Sequence, residues 1–166
     1  MASASHRRSK RDAASVTAAD GLELPATLAF MRLLWAIDHG LRSVSKRMHS
    51  SIGLTGPQRL VLRIVGRRGK VTPSELATWL HLDRGTLSGI LERLEARRLV
   101  LRSRHPEDGR SVIIQLSARG KLLGRETAGT VEAAVRRAMG KVSPAAIDQA
   151  AAVFHALATE LVREDE

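Results

Sequence analysis

Cysteine is absent from this sequence of 166 residues, and aromatic residues make up only 2% of it. Without cysteine there are no disulfides, no thiolate metal ligands, no cysteine nucleophiles and no thiol-based redox sensors. This composition is compatible with a reducing cytoplasm, where we expect the protein to act. Because leucine, alanine and valine abound while aromatic residues are scarce, we expect helices packed through aliphatic side chains. The predicted fold class is therefore mainly α-helical.

Long apolar runs and catalytic motifs are also missing. No apolar run reaches the length of about 18 residues that indicates a transmembrane helix, and the basic N-terminus lacks the apolar segment of a signal peptide. No nucleophile motif, phosphate-binding loop or metal-binding histidine pair is present. We therefore expect no membrane contact, no enzymatic activity, no cofactor and no metal. A zinc site remains an open alternative for the scattered histidines His39, His49, His81 and His155.

What the sequence does have is positive charge. Lysine and arginine number 27 against 17 aspartate and glutamate residues, which gives a formal net charge of +10 at pH 7. A basic surface attracts polyanions because binding releases their condensed counterions, and nucleic acid is the commonest such partner. The composition therefore favours a nucleic acid as the partner.

The pattern along the chain divides it into four segments. Residues 1–20 are small, polar and basic without periodicity, which is typical of a disordered tail. Residues 21–53 hold a long amphipathic helix, 54–117 a compact module, and 118–166 further helices. The first and last of these helical segments flank the module on both sides.

The flanking segments carry apolar residues at helical spacing. The long first helix is predicted from Leu22 to Ile52. A helix capped by Ser117 is predicted to extend to Met139, and a last one follows Ser143. Their apolar stripes exceed what the small module can cover. We therefore expect them to form the interface of a homodimer.

Within the module, two helices are separated by only a tight turn. Thr72 is placed to cap the first helix, with Pro73 at its first position and Glu75 closing a capping box. This helix is expected to end near Leu80, and Asp83 caps the second. The second helix buries a face made of Leu87, Ile90, Leu91 and Leu94. Two helices joined in this way form a helix-turn-helix.

Two β-prone runs follow the second helix. Residues 99–104 and 111–116 are joined by turn residues, which predicts an antiparallel hairpin. A helix over residues 57–67 and a short extended piece at 70–71 precede the helix-turn-helix. These elements together predict a winged helix-turn-helix, a mainly α module with a small β-hairpin as its wing.

Over residues 54–120 the sequence resembles the MarR-type transcriptional regulators. The matching residues are Ser74-Glu75-Leu76-Ala77, Thr86, Ser88, Arg93-Leu94-Glu95, Leu99-Val100, Asp108-x-Arg110 and Leu116-Ser117-x-x-Gly120. Three positions depart from the family pattern: Gly85 stands where serine is common, Gly89 where a basic residue is common, and Arg98 where a glycine usually ends the helix. The two glycines reduce the polar contacts available from the second helix. We therefore expect DNA shape and backbone contacts to contribute more to recognition than hydrogen bonds to base edges.

The resemblance implies that the second helix is a recognition helix for the major groove. In the wing, Arg110 would enter the minor groove, and Asp108 would orient it by an ion pair. Contacts to phosphates would hold the rest of the predicted surface against the DNA backbone. The alternative for these residues is a solvated surface, with Asp108 serving also in the hairpin turn. The predicted set is Arg84, Thr86, Ser88 and Arg93 on the recognition helix, Arg104, Asp108 and Arg110 on the wing, and Arg68, Thr72 and Ser74 beside the first helix of the motif.

A second candidate site lies in the long first helix. MarR-type proteins commonly bind small aromatic or anionic effectors between the dimerisation helices and the DNA-binding lobe. A tryptophan could stack on a ring, and an arginine could pair with a carboxylate. The alternative is one core tryptophan beside an exposed polar face. The candidate residues are Trp35, Asp38, His39 and Arg42.

The sequence therefore predicts a homodimeric, sequence-specific DNA-binding regulator on a pseudo-palindromic operator, and a ligand-responsive repressor in particular. The alternative function is that of a winged-helix protein used for non-specific DNA binding or for protein contacts. A preference for one duplex over random duplex distinguishes the two, because phosphate contacts alone give no preference.

Overall fold

The computed structural model describes residues 15–17, 23–104, 111–125 and 128–162. The helices and strands, in chain order, are β1 (Ser15–Thr17), β2 (Glu23–Pro25), α1 (Ala26–Ile52), α2 (Gly56–Arg68), β3 (Lys70–Val71), α3 (Pro73–Leu80), α4 (Arg84–Ala96), β4 (Val100–Arg104), β5 (Val112–Leu116), α5 (Ala118–Arg125), α6 (Val131–Met139) and α7 (Pro144–Val162). The prediction of a mainly helical chain with a small β wing is confirmed.

The N-terminal region differs from the prediction in two ways. Strand β1 lies inside the stretch 1–20 for which no regular structure was expected, and it pairs antiparallel with β2 so that Val16 faces Leu24. The long helix starts at Ala26 rather than at Leu22. The reason is Pro25, whose extended backbone (ψ 143°) belongs to β2 and precedes the first helical residue.

The winged-helix lobe, from α2 to β5, encloses a core of its own. Strand β5 is central in a three-stranded antiparallel sheet of order β3-β5-β4, in which Val71 and Arg102 both face Ile114. The short extended piece predicted at residues 70–71 is thus the third strand of the sheet. The core contains Leu54, Val61, Leu62, Val65, Val71, Leu76, Leu87, Ile90, Leu91, Leu94, Leu99, Val100 and Ile114.

The region after the wing is a correction to the prediction. A single helix was expected from Ser117 to Met139, but the structure has the two helices α5 and α6 instead. Gly129 adopts a left-handed backbone (φ 68°) that ends any continuous helix. The Thr130 side chain then accepts a hydrogen bond from the Ala133 amide and begins α6.

Helix α5 lies at very close range against the turn between α4 and β4. The Ser117 hydroxyl donates to the Arg98 carbonyl at 2.7 Å and accepts from the Gly120 amide at 2.9 Å. A methyl group on Gly120 would overlap the carbonyl oxygen of Leu99. Only glycine lets the two backbones approach in this way. Arg98, where the family pattern has glycine, adopts a left-handed backbone (φ 56°).

The flanking helices leave their apolar stripes uncovered in the single chain. Helix α7 buries no side chain between Pro144 and Leu161, and α1 buries only Ala29 and Met48. No helix within the described ranges is long and apolar enough to cross a membrane. The exposed large apolar side chains of these helices include Leu28, Phe30, Met31, Leu33, Ile37, Leu41, Val135, Met139, Val153, Phe154 and Leu161.

Candidate nucleic-acid interface

Helix α4, the predicted recognition helix, begins with a cap residue that accepts two hydrogen bonds from Thr86. One carboxylate oxygen of Asp83 accepts from the Thr86 amide at 2.8 Å, and the other accepts from the Thr86 hydroxyl at 2.6 Å. These hydrogen bonds hold the pKa of the Asp83 carboxyl below its ordinary value, and the bond from the Thr86 hydroxyl contributes most to that shift. The Thr86 hydroxyl proton is thereby engaged within the helix start. What Thr86 offers to a base is its methyl group and a hydroxyl lone pair.

The solvent-facing side of α4 presents the other predicted contacts. Arg84 is exposed and makes no ion pair within the described residues. Ser88 is exposed and its hydroxyl donates to Glu92 at 3.1 Å. A guanidinium nitrogen of Arg93 lies 3.9 Å from the position that a Cβ atom would take at Gly89. The glycine therefore leaves room for an arginine from the next turn of the helix.

The start of α3 lies beside α4 and completes the surface. The predicted capping box is confirmed: the Glu75 amide donates to the Thr72 hydroxyl at 3.2 Å, and the Thr72 amide donates to the Glu75 carboxylate at 2.7 Å. Ser74 is exposed next to it. A groove of about 300 Å³ between the two helices and β4 is lined by Pro73, Ser74, Ala77, Arg84, Leu87, Ser88, Leu91 and Arg102. The structure thus brings three predicted contacts, Ser74, Arg84 and Ser88, into one groove.

The wing is described only in its two strands. Arg104 is exposed at the end of β4, and Arg102, two residues before it, pairs with Glu95 of α4 at 2.8 Å. This ion pair links the wing strand to the recognition helix. The predicted contacts Asp108 and Arg110 lie outside the described residues.

Arg68 occupies a different position from the other predicted contacts. Its guanidinium lies 4.8 Å from the centre of the Trp79 ring, which joins the end of α2 to α3. The half-exposed Trp79 had no role in the sequence-based prediction. An arginine held over an aromatic ring is preorganised, so Arg68 has less freedom to lose on meeting a phosphate.

The predicted effector residues all lie exposed along α1 in the single chain. Trp35 has 73% of its surface accessible, and His39 is exposed beside it. The Arg42 guanidinium donates to Asp38 at 3.0 Å within the same helix. Because these four residues lie exposed on one helix, an effector site there would need further residues from another element or from a second subunit.

A buried ion pair connects the winged-helix lobe to α6, and sequence reasoning did not find it. Arg59 is only 1% exposed and pairs with Glu132 at 2.6 Å, while Arg63 approaches the same carboxylate at 3.4 Å. Burial raises the pKa of Glu132, but the hydrogen bonds and charge of Arg59 outweigh that effect, so the pKa lies below its ordinary value. The available signal was an arginine three residues before Leu62, on the face of α2 that carries the core.

The zinc alternative gains no support from the described part of the chain. There, no three side chains among histidine, aspartate and glutamate lie close enough together to hold a metal ion. The four candidate histidines are all exposed, on α1, at the end of α3 and on α7.

Comparison with known proteins identifies related chains. Residues 52–111 match the model of the MarR family. The organic hydroperoxide resistance transcriptional regulator of Bacillus subtilis is 35% identical over 104 residues, which are 63% of this chain and 69% of that protein. The regulator MgrA of Staphylococcus aureus is 35% identical over 85 residues, 51% of this chain, and the match spans only 58% of that relative.

A solved structure shows the same fold. A mutant MarR from E. coli, complexed with operator DNA, matches 82% of this chain and 96% of its own with a TM-score of 0.62 and 22% identity.

Proposed function

The chain belongs to the MarR family of winged-helix, DNA-binding transcriptional regulators, and from that premise we propose that it is a ligand-responsive repressor acting as a homodimer. Two recognition helices related by a twofold axis would enter successive major grooves of a pseudo-palindromic operator, about one helical turn apart. A dimer seated on a promoter represses by blocking access to it. Since its target is the chromosome, we assign the protein to the cytoplasm, and we assign it no catalytic activity.

The observation that carries the proposal is the groove shared by Ser74, Arg84 and Ser88. An arginine without an intramolecular ion pair and two exposed hydroxyls lie along the helix-turn-helix face that would meet DNA. Arginine suits guanine through two parallel hydrogen bonds, and the Ser74 hydroxyl can donate to a base edge or a phosphate. The Ser88 hydroxyl, whose proton is donated to Glu92, can accept a hydrogen bond from a base. We extend this surface to Arg93 on the same helix and to Arg104, Asp108 and Arg110 of the wing, as the family resemblance implies.

The dimer is supported by the uncovered stripes of α1 and α7. Apolar side chains such as Phe154 and Leu161 are 49% and 75% exposed in the single chain. Helix α7 has no buried side chain between Pro144 and Leu161, so packing against its own chain stabilises it little. A twofold partner presenting the same helices would cover both stripes at once.

Ligand response would follow from linkage. An effector that prefers a dimer whose recognition helices are wrongly spaced weakens operator binding, with a coupling typically of about 1 to 3 kcal/mol. The candidate residues Trp35, Asp38, His39 and Arg42 lie on a helix that the dimer would cover, so the missing wall of their site would come from the partner.

The test is a competition assay at fixed salt between a duplex selected by the parent protein from a random library and random duplex of equal length. We expect the parent to prefer the selected duplex, and Arg84→Ala and Arg110→Ala each to lose about 1 to 3 kcal/mol of that preference. Their unfolding should match that of the parent. Arg136→Ala, an exposed arginine of α6 outside the motif, is the matched control.

Equal affinity of the parent for both duplexes would replace this proposal with non-specific DNA binding. Retained preference in Arg84→Ala would remove the shared groove from the interface. Repeating the assay with aromatic carboxylates tests the ligand response separately, since their failure to release DNA leaves the DNA contacts intact.

A further inference from the structure

One arginine joins the end of the predicted recognition helix α4 to the end of the long helix α1. Arg97 directly follows α4, and its guanidinium donates hydrogen bonds to the carbonyl of Gly53 and, at 3.5 Å, to that of Ile52. Both carbonyls stand at the C-terminal end of α1, where the last carbonyl groups have no partner within the helix. The contact spans 44 positions of the chain, and the Arg97 side chain is half-buried in it.

The charge and the shape of Arg97 both suit the end of α1. A positive charge is favourable at the C-terminus of a helix, and the last turn of α1 has no lysine or arginine of its own. Gly53 permits the close approach, since a Cβ atom there would lie 2.6 Å from a guanidinium nitrogen of Arg97. Within the described residues Arg97 forms no ion pair, so the end of α1 is its partner.

The backbone on either side of Arg97 is held in place. The Arg97 amide donates to the Arg93 carbonyl of α4 at 3.3 Å, and the Arg98 carbonyl accepts from the Ser117 hydroxyl of the segment that begins α5. Leu99, which follows, belongs to the core of the lobe. A single side chain on a well-held backbone therefore connects α4 with α1.

The other described contacts between α1 and the lobe are of a different kind. The Ser45 hydroxyl accepts from the Gly56 amide at 2.8 Å, which joins α1 to the start of α2, and Ile52 packs against the core. Apolar packing has no preferred direction, whereas a hydrogen bond weakens as its angle departs from the optimum. We therefore expect these other contacts to keep the lobe folded and attached to α1 without Arg97, while the Arg97 contact restricts the angle between α1 and α4.

We propose that Arg97 is a positioning residue for operator binding, which sets the spacing of the two recognition helices by holding α4 at a fixed angle to α1. The inference rests on the proposed homodimer, in which α1 forms part of the interface. If α1 is fixed against its partner, the angle between α1 and α4 decides how far apart the two recognition helices lie. Two half-sites are bound together only when that distance matches successive major grooves. Arg97 fulfils this role without touching DNA.

The experiment measures the affinity of the full-length protein at fixed salt for three duplexes. The first is a duplex with two half-sites selected by the parent, the second has one base pair inserted at its centre, and the third keeps a single half-site. The inserted base pair moves one half-site by about 3.4 Å and turns it by about a tenth of a helical turn. The parent should bind the selected duplex at least about tenfold more tightly than the duplex with the insertion.

Arg97→Met removes the donors and keeps an unbranched side chain. Its affinity for the selected duplex should fall about tenfold, because a smaller fraction of dimers holds both helices at the required spacing. Its preference over the duplex with the insertion should shrink to about threefold or less, and its affinity for the single half-site should stay within about twofold of the parent's. Arg97→Lys keeps the charge but cannot span both carbonyls, so about threefold of operator affinity should be lost.

The matched control is Arg98→Met, which removes the same charge from the next position. The Arg98 side chain is exposed and makes no hydrogen bond or ion pair in the described part of the chain, so this variant should bind all three duplexes as the parent does. Light scattering and thermal unfolding establish that each variant is a folded dimer. If Arg97→Met does not fold, Arg97→Lys takes its place in the comparison.

Parental affinity and parental spacing preference in the Arg97 variant would overturn the proposal. An equal loss on the single half-site would also overturn it and would make Arg97 a DNA contact, and an equal effect of Arg98→Met would make the charge alone responsible. A parent that binds both spacings equally would contradict the proposed dimeric function itself, and this inference with it.

Discussion

The winged-helix lobe and the flanking helices treat their apolar residues in opposite ways. In the lobe, Leu76, Leu91 and Leu94 are completely or almost completely buried by their own chain. On α7, Phe154 and Leu161 remain half to three-quarters exposed. Both regions have amphipathic helices of similar pattern. The difference shows that amphipathicity reveals which face is to be buried, but the arrangement of neighbours decides whether one chain suffices to bury it.

The two regions meet at an ion pair as well as at apolar contacts, such as those of Ile52 and Leu123 with the core of the lobe. Arg59 of the lobe reaches Glu132 of α6, and it also donates to the Leu123 carbonyl at 3.2 Å. Such a pair is directional, and its orientation fixes how α6 leaves the lobe. The Arg59–Glu132 pair therefore helps to fix the position of α6 relative to the winged-helix lobe.

The largest effect is expected from a charge placed on the uncovered apolar stripe of α7. We expect Phe154→Glu to weaken the dimer by about 4 kcal/mol, roughly a thousandfold in its dissociation constant, because twofold symmetry counts the lost apolar contact twice. Light scattering across a concentration series measures it. Gln149→Glu, on the opposite side of the same helix, should remain dimeric. A dimer of unchanged affinity in Phe154→Glu would place the interface elsewhere.

Within the closed lobe, the strongest effect is expected at Gly120. A methyl group there strikes the Leu99 carbonyl, so Gly120→Ala should lose about 3 kcal/mol of unfolding free energy in urea at fixed protein concentration. At Gly124, four residues on in the same helix, no described atom outside the helix's own backbone lies within 4 Å of the added methyl group, so Gly124→Ala should instead gain about 0.5 to 1 kcal/mol through better helix propensity. Equal stability of the two variants would mean that the close approach of α5 is not needed.

Loss of the ion pair between Arg59 and Glu132 is expected to have a smaller effect on the free energy of unfolding, and this effect depends on pH. Glu132→Gln removes the charge facing buried Arg59 and should cost about 2 kcal/mol at neutral pH. Because the folded-state pKa of Glu132 lies below its unfolded value, its ionisation stabilises the fold above the unfolded pKa, and this contribution is lost as pH falls through the folded pKa. Urea unfolding at a series of pH values should therefore show the parent and variant converging under acid conditions. A difference that stays constant down to pH 3 would contradict the role of the carboxylate charge.

Local sequence signals predicted most of the winged-helix lobe. The cap residues Thr72 and Asp83 start their helices as expected, since a capping side chain acts on amides within three residues of it. The same logic would have found the break before α6, where Gly129 and Thr130 stand together. The apolar periodicity on either side of that break resembled one helix and concealed it.

The candidate DNA surface could be predicted only as a set of residues. That Arg84, Ser88 and Ser74 share one groove depends on the angle between α3 and α4, which sequence spacing does not give. The roles of Thr86 and Arg68 were altered by neighbours: an aspartate engages the Thr86 hydroxyl, and Trp79 lies under the Arg68 guanidinium.

The sequence by itself determined the fold class, the helix starts capped by Thr72 and Asp83, the basic character and the family, because each depends on composition or on residues close together along the chain. Only the tertiary structure decided that Arg59 meets Glu132 across 73 positions, that Gly120 lies against Leu99, and that Ser74, Arg84 and Ser88 line one groove. These contacts form between distant parts of the chain, and their geometry follows from how the helices pack rather than from the preference of any one residue.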